Sequence, residues 1–310
     1  MSVFNIETAP SGCLFFYDEL LLSLIHILIR ESDRMKKIGM IGGDLRNRYL
    51  AEMLTEEGYE VSTYGLTDEE NELSDVVKRS DYIISGIPFS QDNRMIQAPF
   101  SKNEISIEEV FSFLSKEKTF FAGSMKPEIK ERFKDSEIRY YDFLEDERTT
   151  IMNVIPTVEG AIEFAIRNTD FTLFDSDILI LGYGRIGKYL GRVLKALGAK
   201  VRVAVRKESD LSWVSLEGNQ ALSYEQLNAV LNQFDVIFNT VPALVLKEEQ
   251  IRLLKKSCFI IDLASKPGGV DFESAKKYGI EANLVLGLPG KTAPKSAAKY
   301  MFEFFEKCIK

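Results

Sequence analysis

The stretch Asp177-Ile-Leu-Ile-Leu-Gly-Tyr-Gly-Arg-Ile-Gly187 decides the fold. Five residues of strand character run into Gly182-Tyr183-Gly184-Arg185-Ile186-Gly187, a helical pattern continues to about Leu197, and a second apolar run follows from Val201 to Val205. A bare GxGxxG says little. Set between strand and helix in one βαβ unit, it becomes a dinucleotide fingerprint. Gly182 permits the tight turn, Gly184 lets the backbone approach a pyrophosphate, and Gly187 lets the helix pack closely on the strand. The helix N-terminus turns free N–H groups on the anion, and Tyr183, Arg185 and Ile186 lie within the same contact turn.

The same plan extends outward. From Lys37 onward short apolar runs alternate with helical patterns, the signature of βαβ units and a mostly parallel sheet. Strands are predicted near 37–41, 60–64, 81–84, 119–122 and 138–142, and again near 177–181, 201–205, 235–239, 258–262 and 283–286. Asp81-Tyr-Ile-Ile-Ser-Gly-Ile-Pro88 parallels Asp235-Val-Ile-Phe-Asn-Thr-Val-Pro242, and Phe120 to Pro127 echoes Phe259 to Pro267. Pro88 and Pro127 are 39 residues apart and Pro242 and Pro267 are 25 apart, so the first half carries about fourteen extra residues, placed in Ser90 to Ser106. The prediction is an α/β protein of two Rossmann-like, doubly wound parallel-sheet domains with a cleft between them. Residues 35–153 form the substrate domain and 154–293 the NAD(P)-binding domain. A helix from Thr157 to Thr169 bridges them, and a last helix, 294–309, with Ala297, Ala298, Met301, Phe302, Phe305 and Ile309 as its apolar stripe, joins the first domain.

Composition narrows the function. The 310 residues carry 39 Lys and Arg against 47 Asp and Glu, a net charge of −8. No basic block offers the concentrated charge that phosphate backbones require, which sets nucleic acid aside. Cys13, Cys258 and Cys308 form no CxxC pair and give an odd count, so neither a disulfide framework nor a metal site is expected and a reducing cytoplasm fits. The single histidine, His26, leaves residues 35–310 without an imidazole base. Residues 1–34 differ from the rest. Their apolar run, Leu20 to Ile29, is shorter than the ~20 residues of a membrane span, and no basic n-region precedes it. We expect Met35 to be the true start and 1–34 a non-native extension.

At the end of the second strand of the fingerprint unit, Ala204-Val205-Arg206-Lys207 replaces the acidic residue that usually holds a ribose 2′-hydroxyl. Arg206, with Lys207 beside it, suits a 2′-phosphate, so NADP is favoured and NAD remains an option. Thr240, Val241, Pro242 and Ser265, at the ends of later strands, are expected around the nicotinamide ribose. The first half turns through Ile41-Gly42-Gly43-Asp44-Leu45-Arg46-Asn47 without a third glycine, and Asp44 would repel a pyrophosphate. No second nucleotide is expected there.

Ile41 to Arg46, Asn153-Val-Ile-Pro-Thr-Val-Glu-Gly160, Asp262-Leu-Ala-Ser-Lys-Pro-Gly-Gly269, Gly287-Leu-Pro-Gly290 and Ala293 to Ala297 together carry a resemblance. From Met35 to its end the chain resembles the A subunits of bacterial dipicolinate synthase. That resemblance implies NAD(P)-dependent oxidation of dihydrodipicolinate to dipicolinate in the mother-cell cytoplasm during sporulation, alongside a flavoprotein-like B subunit. A homo-oligomer is a further option.

A dianionic dicarboxylate needs cations at strand ends. The candidates are Arg46, Arg94, Lys126 and Lys266, the two lysines occupying equivalent places in the halves and clamping opposite ends of the substrate. Lys266, Glu159 and Asp44 are the candidate catalytic residues, the two carboxylates as alternative proton acceptors with water as a third. Each has a plainer role: the lysines as solvated Lys-Pro turns, Glu159 near a helix start, Asp44 as a helix cap. A D-2-hydroxyacid dehydrogenase would share the plan but needs a histidine. An amino-acid dehydrogenase of the alanine dehydrogenase type, or a nucleotide-binding regulatory protein without its own catalysis, remains as an alternative.

Overall fold

The computed structural model describes residues 36–67 and 71–310. Segment 1–34, with His26 and Cys13, lies outside them. Chain order begins with β1 (Lys37–Ile41), α1 (Leu45–Glu56), β2 (Glu60–Tyr64), α2 (Leu73–Arg79), β3 (Tyr82–Ser85), α3 (Ile107–Phe113), β4 (Thr119–Ala122), α4 (Pro127–Asp135) and β5 (Arg139–Asp142). Two helices, α5 (Glu147–Met152) and α6 (Val154–Asn168), lead to β6 (Asp177–Leu181), α7 (Arg185–Ala196), β7 (Lys200–Val205), α8 (Glu208–Leu216), β8 (Gln220–Ser223), α9 (Tyr224–Leu227), β9 (Val236–Asn239), α10 (Glu248–Ile251), β10 (Phe259–Asp262), α11 (Phe272–Tyr278) and β11 (Glu281–Leu284). The chain closes with α12 (Leu288–Thr292) and α13 (Pro294–Ile309).

Two wholly parallel sheets result, ordered β2-β1-β3-β4-β5 and β11-β10-β9-β6-β7-β8. Both are Rossmann-like α/β units. The apolar strands are covered on both faces, as parallel strands must be, and alternation sorts their side chains. Ile178 and Ile180 of β6 join Val236 and Phe238 on one face, while Leu179 and Leu181 join Ile237 and Ile260 on the other. In the first sheet Ile83 and Phe120 enter one layer, and Met40, Ile84 and Phe121 the opposite one. Strand order reverses between β1 and β3 and between β6 and β9, and ligands of open α/β sheets bind at such reversals, beyond the strand C-termini.

Three local readings change. β8, a short edge strand with one buried residue, carries too little apolar signal to be read from Gln-Ala-Leu-Ser. β11 ends at Leu284, two residues before the expected end. The bridging helix α6 starts at Val154 rather than Thr157, because Pro156 falls in its first turn, where a missing N–H leaves no bond unmade.

The junction between units is built from glycines. A Cβ at Gly160 of α6 would collide with Thr292 and Leu288 of α12, and one at Gly290 would lie 2.6 Å from Asp44 Oδ2. α13 then returns to the first unit, where Phe305 meets Phe121, Tyr82 and Tyr59 at ring-centroid distances of 5.0, 5.6 and 5.9 Å. Among the described residues no helix is long and apolar enough to cross a membrane.

Candidate active site

The glycine turn is tight at two of its three glycines and open at the third. Gly182 has φ +96°, and a Cβ there would press on Thr240 Oγ1 and Val241 Cγ2 at 2.7 and 2.8 Å. One at Gly187 would collide with the Gly182 carbonyl, so the helix can touch the turn only because residue 187 is glycine. Gly184, the N-cap of α7, has open space where its side chain would be. An anion can therefore come against the backbone at the helix N-terminus.

Around this turn the expected contact residues divide. The Thr240 hydroxyl donates to the Leu181 carbonyl at 2.8 Å, which fixes Thr240 beside Gly182. Val241 and Pro242 follow in the same loop, tied down because the Asn239 side chain accepts from Val241 N at 3.1 Å and donates to Val241 O at 3.0 Å. Tyr183 and Ile186 pack on the core beneath the turn. Burial first, then the neighbouring Glu217 carboxylate, pushes the Tyr183 hydroxyl pKa upward. Arg185 is turned to the other unit, paired with Glu147 of α5 through Nη2–Oε2 at 2.6 Å and Nε–Oε1 at 3.2 Å.

Arg206 is exposed at the end of β7 with its guanidinium 5.6 Å from the Tyr224 ring centroid, within cation–π range. It has no carboxylate partner among the described residues. Lys207 stands beside it as the N-cap residue of α8. Burial raises the Tyr224 hydroxyl pKa against the opposing pull of Arg206. These residues fit a dinucleotide: a turn open to an anion and, at the end of β7, a cation without a carboxylate partner among the described residues.

The corresponding turn of the first unit is closed. Gly43 N–H donates to the Gln97 carbonyl at 2.8 Å, and a Cβ on Gly42 would lie 2.9 Å from Ala98. The extra segment 90–106 thus fills the space a second pyrophosphate would need.

Two of the expected site residues engage one another. Asp44 caps α1 by accepting from Arg46 N at 3.0 Å, and its carboxylate also takes Arg46 Nη2 at 2.7 Å. Arg46 is 5% exposed and gives a further bond to the Ile87 carbonyl. Asp44 and Arg46 pair at the junction, where α12 packs its Gly290 directly on them. Glu159 is exposed in the second turn of α6, not at its start, and its charge helps burial to raise the Tyr300 phenol of α13. Arg94 is exposed, with no ion-pair partner among the described residues.

Lys126 and Lys266 do converge. Lys126 Nζ donates to the Gln91 carbonyl at 3.1 Å, and Lys266 Nζ reaches Gln91 Oε1 from the other unit at 3.3 Å. The two positions differ locally, since Lys126 is the N-cap of α4 whereas Lys266 sits in a turn before Gly268. Ser265, exposed next to it, accepts from Gly268 N at 2.9 Å through its carbonyl.

Sequence reasoning missed what holds these loops. Asp262, fully buried, accepts from Asn239 Nδ2 at 2.8 Å, Ala264 N at 3.0 Å and Gly269 N at 2.7 Å, fastening the Lys266 loop to the Thr240 loop. Asp142 does the same for Lys126, accepting from Ser124 N and Met125 N, each at 2.9 Å. Both carboxylates end a strand beside a lysine loop, the one signal that could have marked them. Gln91 had no such signal.

Known proteins share this fold. Residues 37–144 match the family described as the N-terminal domain of the dipicolinate synthase A subunit. Residues 160–268 match the family described as "D-isomer specific 2-hydroxyacid dehydrogenase, NAD binding domain". The chain is 31% identical over 286 residues to the A subunit of dipicolinate synthase from Bacillus subtilis (strain 168), covering 88% of this chain and 95% of that protein. The crystal structure of the Bacillus halodurans A subunit of dipicolinate synthase superposes with a TM-score of 0.81 at 31% identity, over 88% of this chain and 97% of that one. The crystal structure of the Bacillus subtilis protein gives 0.78 at 28%, over 89% and 96%. The second unit is a nicotinamide-dinucleotide-binding domain of dehydrogenase type, and the chain belongs to the family of dipicolinate synthase A subunits.

Proposed function

We propose that this chain oxidises dihydrodipicolinate to pyridine-2,6-dicarboxylate with NADP, or NAD, as acceptor, in the mother-cell cytoplasm and together with a B subunit. The observation that carries this reading is the convergence of Lys126 and Lys266, from opposite units, on one residue. Two ammonium groups held across a cleft match a substrate with a carboxylate at each end.

When bound, the nicotinamide supplies the hydride acceptor. The chain's own residues bind and orient. The turn 182–187 receives the pyrophosphate, Arg206 and Lys207 the 2′-phosphate, and Thr240 to Pro242 with Ser265 border the ribose. Lys126 and Lys266 grip the carboxylates, and the exposed Arg94 of the segment 90–106 is a further cation for them. The ring gives up a hydride and one proton and gains aromaticity, so alignment does much of the work, and orientation alone is worth up to ~7–11 kcal/mol. The proton passes to water or to the solvent-open Glu159; Asp44 and Arg46 brace the junction instead.

The engagement of Asp44 by Arg46 favours a second reading, in which the chain binds nucleotide and the B subunit completes the chemistry. One assay separates the two. The purified chain, alone and with the B subunit, is given dihydrodipicolinate with NADP or with NAD and followed for dipicolinate absorbance. Growth with the chain alone supports the first reading, and growth only with both supports the second. No growth in either mixture overturns both.

A further inference from the structure

Gln91 is the residue on which both lysines meet, and it belongs to the segment that only the first unit carries. We infer that Gln91 is a specificity-determining, positioning residue: its side-chain amide holds the place on Lys266 that a substrate carboxylate takes, and so sets the spacing at which two carboxylates are accepted. This rests on the dicarboxylate reading above.

Gln91 stands where it does by construction of the fold. The adjoining Asp92 carboxylate accepts from Arg94 N at 2.8 Å, Met95 N at 2.9 Å and Ser90 Oγ at 3.1 Å. Bridges Ser90–Ile96 and Met95–Ser106 close the segment, and Ile96 and Ile105 anchor it in the core. On the facing sides Asp142 and Asp262 hold the lysine loops. Three braced loops therefore bring exposed side-chain ends to one point.

The chemistry there favours exchange. Lys266 is 3.3 Å from a neutral amide oxygen, a long bond to a weak acceptor. A carboxylate makes charge-assisted bonds roughly twice as strong as neutral ones, and an ammonium has three protons to give. A substrate carboxylate displaces Oε1 from Lys266 and leaves the Lys126 bond to the Gln91 backbone in place. The freed amide Nε2, only 3.5 Å from Gln97 Oε1 in this structure, can then donate to the incoming anion. A monocarboxylate leaves one ammonium unmatched.

The test is calorimetric titration of the full chain with pyridine-2,6-dicarboxylate, pyridine-2-carboxylate and NADPH. Gln91→Glu keeps the side-chain shape and places a resident carboxylate on Lys266. It is expected to weaken dicarboxylate binding at least tenfold while NADPH affinity stays within twofold, which also reports folding. Gln91→Ala is expected to reduce the preference for di- over monocarboxylate severalfold. In a Lys266→Ala background the Gln91→Glu effect is expected to fall below threefold. Unchanged dicarboxylate binding in Gln91→Glu, or an undiminished effect without Lys266, overturns the inference and leaves the dicarboxylate reading standing. A wild-type chain that binds NADPH but not the dicarboxylate overturns both.

Discussion

At the scale of single residues, the three glycines of the turn have separable duties. A Cβ at Gly187 would meet the backbone carbonyl of Gly182, which cannot swing aside as a side chain would. Gly187→Ala should therefore destabilise the fold by about 1–3 kcal/mol as well as abolish nucleotide binding. Gly184 has φ −80° and empty space before it, so Gly184→Ala should cost at most about 1 kcal/mol and yet lower NADPH affinity at least tenfold. Thermal unfolding and NADPH fluorescence read the two effects apart, and wild-type affinity in Gly184→Ala would show that no pyrophosphate lies on the turn. These duties were legible in the sequence because each is local: a positive φ, a close approach, a helix start. Gln91 was illegible for the opposite reason. Its place is fixed by how the segment 90–106 folds back over Gly42 and Gly43 and by a lysine 175 positions away in the chain.

At the scale of elements, nine of the ten expected strands lie within a residue of their observed positions, since buried parallel strands are unbroken apolar runs that turns cut off sharply. β8 escaped because an edge strand buries little, and α6 began early because proline is harmless in a first turn. The motifs carrying the family resemblance were legible as motifs but not as joints: Asp44 and Arg46, Gly160 and Gly290 meet where the units join. Helix α5 shows a cap of another kind. Burial raises the pKa of Asp146, but its bonds from Thr149 N and Oγ and from Lys307 outweigh burial and hold it below the usual aspartate value. A depressed folded pKa means stabilisation present above the unfolded pKa of ~3.9 and lost as pH falls through the lower folded value. Asp146→Ala should cost about 1 kcal/mol at neutral pH. In urea denaturation the gap to wild type should close as the pH is taken below about 4, and a gap constant with pH would show that the ionised cap contributes nothing.

At the scale of the whole molecule, the nucleotide-binding unit is inserted between two parts of the first. The chain leaves through α6, completes the second sheet, and returns through α12 to lay α13 on α1. Such an insertion is tolerated when its two ends are held together, and the contact of Gly160 with Leu288 and Thr292 does that. The first unit's core is then finished by residues from the far end of the chain, with Phe305 fully buried among Tyr59, Tyr82 and Phe121 and the helix end tied by Lys36 Nζ to the Ile309 carbonyl at 3.2 Å. Phe305→Ala should cost about 3–5 kcal/mol, all of it in the first unit. A nicotinamide dinucleotide held by the second unit stabilises only what it binds. Scanning calorimetry should therefore show the first unit's transition lowered by the substitution, with NADPH affinity and the NADPH-raised transition unchanged. A single transition that falls as one, with NADPH protection lost, would mean that the two units unfold as one body and that the joint at Gly160 and Gly290 couples them.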